Sequence, residues 1–323
     1  MENFLFAVNA TLPVFLVILL GWFLQRVGIL NEGFSKAGNQ YVFQCALPVS
    51  LFQSVSQMDF YSDFDPSFCL FCFVVTTIMF GGVWGLSWLL LKDRSMVGAF
   101  SQAAARSSAA ILGIAFAVNI YGDAGMVPMM IVAAVPFFNI YSVLILSFSP
   151  QIDEDGRLLP PPSGGGARVR AACLNVLKNP IILGILAGLP FALLRVTLPT
   201  LVTSTLDMVG DTATPVALLV VGATFSGAEA LKKWKPAAVA TCVKLLVLPA
   251  LFLPLAAWLG FRGSEMVAIL IMVGSPTTVS CYVMAKNMRG DGVLTANVIV
   301  LATLLSSVSI TFWLFLLRSF ALV

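Results

Sequence analysis

The sequence predicts an all-α polytopic membrane protein of ten transmembrane helices, built as two inverted five-helix repeats. Three observations carry that expectation. The chain is apolar almost throughout, with 59% hydrophobic and 10% charged residues, against about 25% charged in average soluble proteins. Short motifs recur in order at nearly one spacing. Lysine and arginine collect in alternate loops.

The motifs begin with Pro13–Gly21 and Pro180–Gly188, which share P-x-x-L-x-I-L-x-G at an offset of 167. Ala46-Leu47-Pro48-Val49-Ser50-Leu51 returns as Ala213-Thr214-Pro215-Val216-Ala217-Leu218 at the same offset, and Ala117, Asn119, Gly122 and Asp123 return as Ala285, Asn287, Gly290 and Asp291 at 168. A period this long is the weak internal symmetry of duplicated transporters rather than a solenoid repeat.

A helical span needs roughly 20 apolar residues. Ten segments qualify: about 4–25, 38–57, 67–91, 96–119, 125–148, 173–194, 199–226, 237–259, 265–286 and 293–317. The first is long and lacks a preceding basic region, so it reads as a span rather than a cleavable signal peptide. Ten spans divide into a first repeat (1–148) and a second (172–323). Five crossings bring the second copy in from the opposite side, which makes the repeats inverted.

Basic residues mark the cytoplasmic side. The odd-numbered loops hold Arg26, Lys36, Lys92, Arg94, Arg157, Arg168, Arg170, Lys178, Lys232, Lys233, Lys235, Lys286 and Arg289, and the even-numbered loops only Arg195 and Arg262. The odd loops therefore face the cytoplasm, and both termini are extracytoplasmic. The net charge of +3 reflects this bias, not nucleic-acid binding. Between the repeats, 149–171 contains Asp153-Glu154-Asp155, Pro160-Pro161-Pro162 and Gly164-Gly165-Gly166. That composition reads as a flexible cytoplasmic linker.

Six cysteines lie in or beside spans, and histidine is absent. The Cys69/Cys72 pair reads as small apolar packing. Without histidine the usual metal ligand, proton shuttle and nucleophile–base dyads are missing. No metal, cofactor or catalytic residue is expected. A coupling ion, H+ or Na+, is not readable.

Val42–Phe52, Gly113-Ile114-Ala115, Asn139, Ala213–Ala223 and Ser275-Pro276-Thr277-Thr278 with Tyr282-Val283-Met284-Ala285 form an ordered set of motifs. In that set the chain resembles the prokaryotic auxin efflux carrier family, which includes malonate-transporter-like members and is distantly related to plant auxin exporters and bile-acid sodium symporters. Val42–Phe52 is similar to its second-span motif, Ala213–Ala223 to its seventh, and Ser275-Pro276-Thr277-Thr278 with Tyr282-Val283-Met284-Ala285 to its ninth. Gly113-Ile114-Ala115 is similar to the fourth-span G-x-P, and Asn139 to a fifth-span asparagine. Alanine stands at 115 where the family usually has proline, and Ser108 near where it often has asparagine. The resemblance implies a scaffold of spans 1, 2, 6 and 7, a moving core of spans 3–5 and 8–10, broken and crossing spans 4 and 9, and a homodimer formed through the scaffold.

Broken helices leave backbone groups that only protein, water or ligand can satisfy. Their half-helix N-termini favour anions. Pro276 breaks span 9 by removing a donor. In span 4 the break falls to Arg106-Ser107-Ser108 and Gly113, a weaker signal that leaves a more continuous helix open.

Arg106 stands out, because a midspan arginine costs roughly 2.5–3.5 kcal/mol on insertion scales. Its fork suits a carboxylate; the competing reading is an ion pair or a contact to broken-helix carbonyls. Expected substrate-binding positions are Arg106, Ser107, Ser108, Gly113, Asn139, Ser275, Pro276, Thr277 and Thr278. Lys244 reads as support, propping crossover carbonyls. Asp207 and Asp211 are possible coupling groups, or caps. Asp123 and Asp291 read as turn caps.

The expected function is secondary transport of a small organic anion, a carboxylate or auxin-like acid, across the cell (inner) membrane by an elevator-type carrier. The alternative is an anion channel or uncoupled uniporter. An intramembrane aspartyl protease built on Gly122-Asp123 and Gly290-Asp291 is less well supported than duplication.

Overall fold

The computed structural model describes residues 2–58, 65–121, 123–153, 157–160 and 165–323. Of the sequence features above, Gly122, Glu154-Asp155, Pro161-Pro162 and Gly164 lie outside them.

The described residues are predominantly helical. The first half contains α1 (Glu2–Arg26), α2 (Glu32–Tyr41), α3 (Leu47–Ser56), α4 (Pro66–Leu90), α5 (Val97–Ala105), α6 (Ala109–Tyr121) and α7 (Val127–Phe148). The second contains α8 (Gly165–Leu177), α9 (Pro180–Leu193), α10 (Thr200–Gly210), α11 (Ala213–Ala223), α12 (Gly227–Lys232), α13 (Trp234–Cys242), α14 (Leu248–Trp258), α15 (Ser264–Gly274), α16 (Ser280–Asn287) and α17 (Gly292–Ser319). Among the described residues, the runs Pro66–Leu90, Val127–Phe148, Thr200–Ala223, Trp234–Trp258 and Gly292–Ser319 are each long and apolar enough to cross a bilayer, and Arg170–Leu177 with Pro180–Leu193 forms a sixth candidate bent by 54°. Leu201 and Trp258 are about four-fifths exposed, which suits surroundings of hydrocarbon. This is an all-α membrane protein.

Local chemistry sets the helix starts. Asp65 accepts from Ser67 N at 2.8 Å ahead of Pro66, and Asn179 accepts from Ile181 N at 2.9 Å ahead of Pro180. Each is a side-chain cap with proline at the first helical position. Asp291 caps α17 through Leu294 N (3.0 Å) and pairs with Lys233 at 2.5 Å. The cap expected of it is present.

Prolines shape the helix interiors. Single π-turns occupy Val42–Ala46, before Pro48, and Val243–Val247, before Pro249. A proline cannot donate to the carbonyl four residues back. For Pro249 that is Leu245 O, which instead accepts from Ser309 Oγ (2.8 Å) and Trp313 Nε1 (2.9 Å) of α17.

Two apolar clusters form. One draws on α4–α7, α13–α15 and α17, including Phe68, Phe80, Phe138, Ile269 and Leu314. The other draws on α1–α3, α9 and α11 together with buried residues of α7, α16 and α17, including Ile18, Ile185, Val221, Val143, Tyr282 and Ile299. In the second, α1 packs on α11 and α3 on α9. A Cβ on Gly21 would lie 2.4 Å from Leu219 O, and one on Gly188 would lie 2.6 Å from Phe52 O. Both members of these two contacts are separated by the 167-residue offset. Backbones this close admit glycine alone.

Part of the linker departs from the flexible reading. Ile152 and Leu158 form an antiparallel bridge. Leu159 N donates to Gln151 O at 2.9 Å, and Ile152 N donates to Arg289 O at 2.8 Å. The turn closes because Asp153 Oδ1 accepts from Arg157 N at 2.8 Å. Composition alone misses such a side-chain-closed turn. The helix of the second half also begins earlier than expected, at Gly165.

Candidate functional site

Both helical runs that carry the candidate residues are interrupted. The run 97–121 stops at Ala105 and resumes at Ala109. The run 264–287 stops at Gly274 and resumes at Ser280. The first break falls at Arg106–Ser108, where Arg106 is extended (ψ 140°). Gly113 sits inside α6, where a Cβ would come within 2.8 Å of Val127 Cγ1. Its structural role is close packing against α7.

The breaks cross, and each repairs the other. Pro276 has no N–H to give Met272 O, and Ser107 Oγ bonds that carbonyl across the crossing. Thr277 Oγ1 donates to Ala103 O at 2.6 Å in the opposite direction. Ser108 N donates to Pro276 O at 2.8 Å.

Two further carbonyls, Ala105 O and Val273 O, close α5 and α15. Lys244, wholly buried, reaches both from the π-turn before Pro249, at 3.3 and 2.8 Å, and also bonds Ser107 Oγ. An ammonium has three donors, and all three are used. Its charge sits where two helix C-termini present about half a negative charge each. The hydrogen bonds of the Lys244 ammonium go to the crossing itself.

Arg106 is different. It is 5% exposed, and its Nη2 donates to Asn139 Oδ1 at 2.5 Å. Nη1 lies 2.8 Å from the Met284 thioether, a weak acceptor, and Nε has no partner. Asn139 is held by Nδ2 donating to Val135 O at 3.0 Å. Among the described residues, no carboxylate pairs with Arg106 or Lys244; the ion pair formed is Lys233–Asp291. The ion-pair alternative for Arg106 is therefore not what the structure contains. Met284 belongs to the second apolar cluster with Val143 and Tyr282, so the guanidinium sits at the seam between the two clusters.

Of the remaining expected positions, Ser275 is buried with an unpartnered Oγ. Ser108 and Thr278 are half-buried, and Thr278 Oγ1 lies 3.3 Å from Ser280 Oγ. Thus Arg106, Ser107, Ser108, Ser275, Pro276, Thr277 and Thr278 lie in the two crossing breaks. Asn139 joins them through the guanidinium, and Gly113 stands apart in α6. Asp207 and Asp211 lie at the end of α10, exposed, where Asp207 Oδ1 accepts from Gln53 Nε2 of α3. That bond ties α10 to α3; it does not reach the crossing.

Gln102 was not anticipated. It lies one turn before Arg106, wholly buried, with Nε2 on Cys281 O at 3.0 Å and Oε1 unpartnered. An amide four residues from a midspan arginine in an Ala-rich run was a usable signal. The Tyr282–Thr224 hydroxyl pair (2.8 Å) was not readable, because it joins segments far apart in the chain.

Comparison with known proteins places this geometry in a family. A model of membrane transport proteins matches residues 6–159 and 168–314, and the gap between the two matches lies within the linker. An uncharacterized transporter of Methanothermobacter thermautotrophicus is 24% identical over 315 residues, covering 96% of this chain and 98% of that one. The uncharacterized transporter YfdV of Escherichia coli is 24% identical over 275 residues, 84% of each chain. The chain belongs to the membrane transport protein family, the auxin efflux carrier group whose motifs it carries, and is a membrane transporter.

Proposed function

We propose that this protein is an elevator-type secondary carrier of a small organic anion across the cytoplasmic membrane. The observation that carries the reading is Arg106: a buried guanidinium at the crossing of two broken helices, with an unpartnered Nε and, among the described residues, no carboxylate paired with it. A buried cation without a counter-ion is costly. A bound carboxylate would supply the missing charge and a planar, bidentate fit. Ser108 and Thr278, half-buried in the two breaks, would supply hydroxyls. Ser107, Thr277, Pro276 and Lys244 hold the crossing in shape.

In this reading ten spans form two inverted repeats, with spans 1, 2, 6 and 7 as the scaffold and spans 3–5 and 8–10 as the moving core. The paired glycine contacts at one offset support the inversion. Bonds between loops support the orientation. Odd-numbered loops join one another through Lys233–Asp291 and Ile152–Arg289. Even-numbered loops join through Met126 N to Ser264 Oγ at 2.7 Å. A homodimer through the scaffold follows the family resemblance.

The two halves of the crossing meet the scaffold unequally. α16 packs on α2 and α11, and its Tyr282 is 3% exposed. Ile114 of α6, the matching position at an offset of 168, is 42% exposed. α6 also touches the scaffold, through α1, so the asymmetry supports a core docked more closely on the cytoplasmic side than on the outside.

A thermal-shift screen against carboxylates, amino acids and indole acids, with and without sodium, tests the reading, because ligand bound to the native state stabilises it. A carboxylate should raise the melting temperature of the wild type and not that of Arg106→Ala. Equal stabilisation of both proteins would remove the anchor.

A further inference from the structure

We infer that the site selects monoanions over dianions, a conclusion that rests on the anion reading above and concerns which charge state it takes. The inference comes from how the buried positive charge is spent. Lys244 and Arg106 both serve the crossing, yet only one has capacity left. The Lys244 ammonium has three donors and three acceptors: Ala105 O, Val273 O and Ser107 Oγ. Its charge is matched by the two helix C-termini that those carbonyls close. Arg106 has five N–H groups; one meets Asn139, one faces a thioether, and Nε–H has none.

The half-helix N-termini have part of their donors spent. Cys281 N donates to Thr278 O (3.1 Å) and Tyr282 N to Val279 O (3.0 Å), while Ser108 N is taken by Pro276 O. A dipole end acts through its unsatisfied donors, and these three are occupied. Between the two buried cations of the crossing, Arg106 is therefore the one left uncompensated. One carboxylate neutralises it. A second carboxylate would enter a buried site with no cation to receive it, and an unpaired buried charge is strongly disfavoured.

The test holds the ligand skeleton fixed and changes its charge. Calorimetric titration of the full-length protein in detergent at neutral pH would compare malonate with its monomethyl ester, and succinate with its monomethyl ester. The monoesters should bind at least roughly tenfold more tightly than the dianions. A Ser108→Arg variant, which adds a second cation, should reverse the order. Tighter dianion binding by the wild type overturns the proposal and leaves the anion reading standing. If none of the four binds, and benzoate and indole-3-acetate also fail, the anion reading falls and takes the proposal with it.

Discussion

Replacing Lys244 by methionine keeps the length of the side chain and removes the ammonium that closes the crossing. Ala105 O and Val273 O would then be buried without donors, while Ser107 Oγ keeps its bond to Met272 O. Each stranded acceptor costs about 1–3 kcal/mol, so the two together lose roughly 2–6 kcal/mol. Part of this is offset, because the variant no longer desolvates an ammonium, a penalty of several kcal/mol for a buried ion. Removing one side of a buried charged arrangement nonetheless costs about 3–5 kcal/mol in measured cases, and we take about 3 kcal/mol as the net loss. At about 2 °C per kcal/mol for a chain of this size, the melting temperature falls by on the order of 6 °C. The assay is thermal unfolding of the purified protein in one detergent, followed by intrinsic tryptophan fluorescence. Lys244→Arg should not restore stability, because a planar fork does not reproduce three donors on one point charge. A Lys244→Met protein melting within about 2 °C of wild type would refute the propping role.

Other consequences follow from the same contacts. Gly188→Val should abolish folded protein, since its Cβ would sit 2.6 Å from Phe52 O, whereas Gly82→Ala, with nothing within 4 Å, should leave yield and melting temperature unchanged; fluorescence-detected size exclusion reads both. Tyr282→Phe removes the 2.8 Å bond to Thr224, worth about 1 kcal/mol. In a variant keeping Cys281 as its single cysteine, maleimide labelling from the cytoplasmic side should rise about fivefold as the core leaves the scaffold. Asp291→Ala removes both the cap of α17 and the partner of Lys233 and should cost more than Asp291→Asn, which keeps the cap; the gap in melting temperature between the two variants measures the ion pair.

The sequence displayed the outline of the fold because hydrocarbon demands long apolar runs and because matched prolines and glycines recur at one offset. Pro276 announced one broken helix by its missing donor. The other break, at Arg106–Ser108, carried no comparable mark. Its cause lies across the crossing, where Ser107 repairs the carbonyl that Pro276 strands and Thr277 repairs Ala103 O. Hydroxyls that look like ligand contacts in a linear reading are spent on backbone, and no local pattern could show this. Lys244 was recognisable as a buried cation, and the π-turn that aims it was not. Arg106 was legible from position alone, because a midspan guanidinium has few cheap alternatives to a partner. That its protein partners would be an amide and a thioether, with no acid, depended on long-range packing of α7 and α16.

Counterflow in proteoliposomes addresses the central claim most directly. Vesicles loaded with unlabelled carboxylate and diluted into labelled carboxylate should accumulate label transiently above equilibrium with the wild type. Arg106→Ala, inserted to the same level, should show none. Transient accumulation by Arg106→Ala equal to that of the wild type would contradict the account, and passive equilibration without overshoot by the wild type would replace the carrier with a pore.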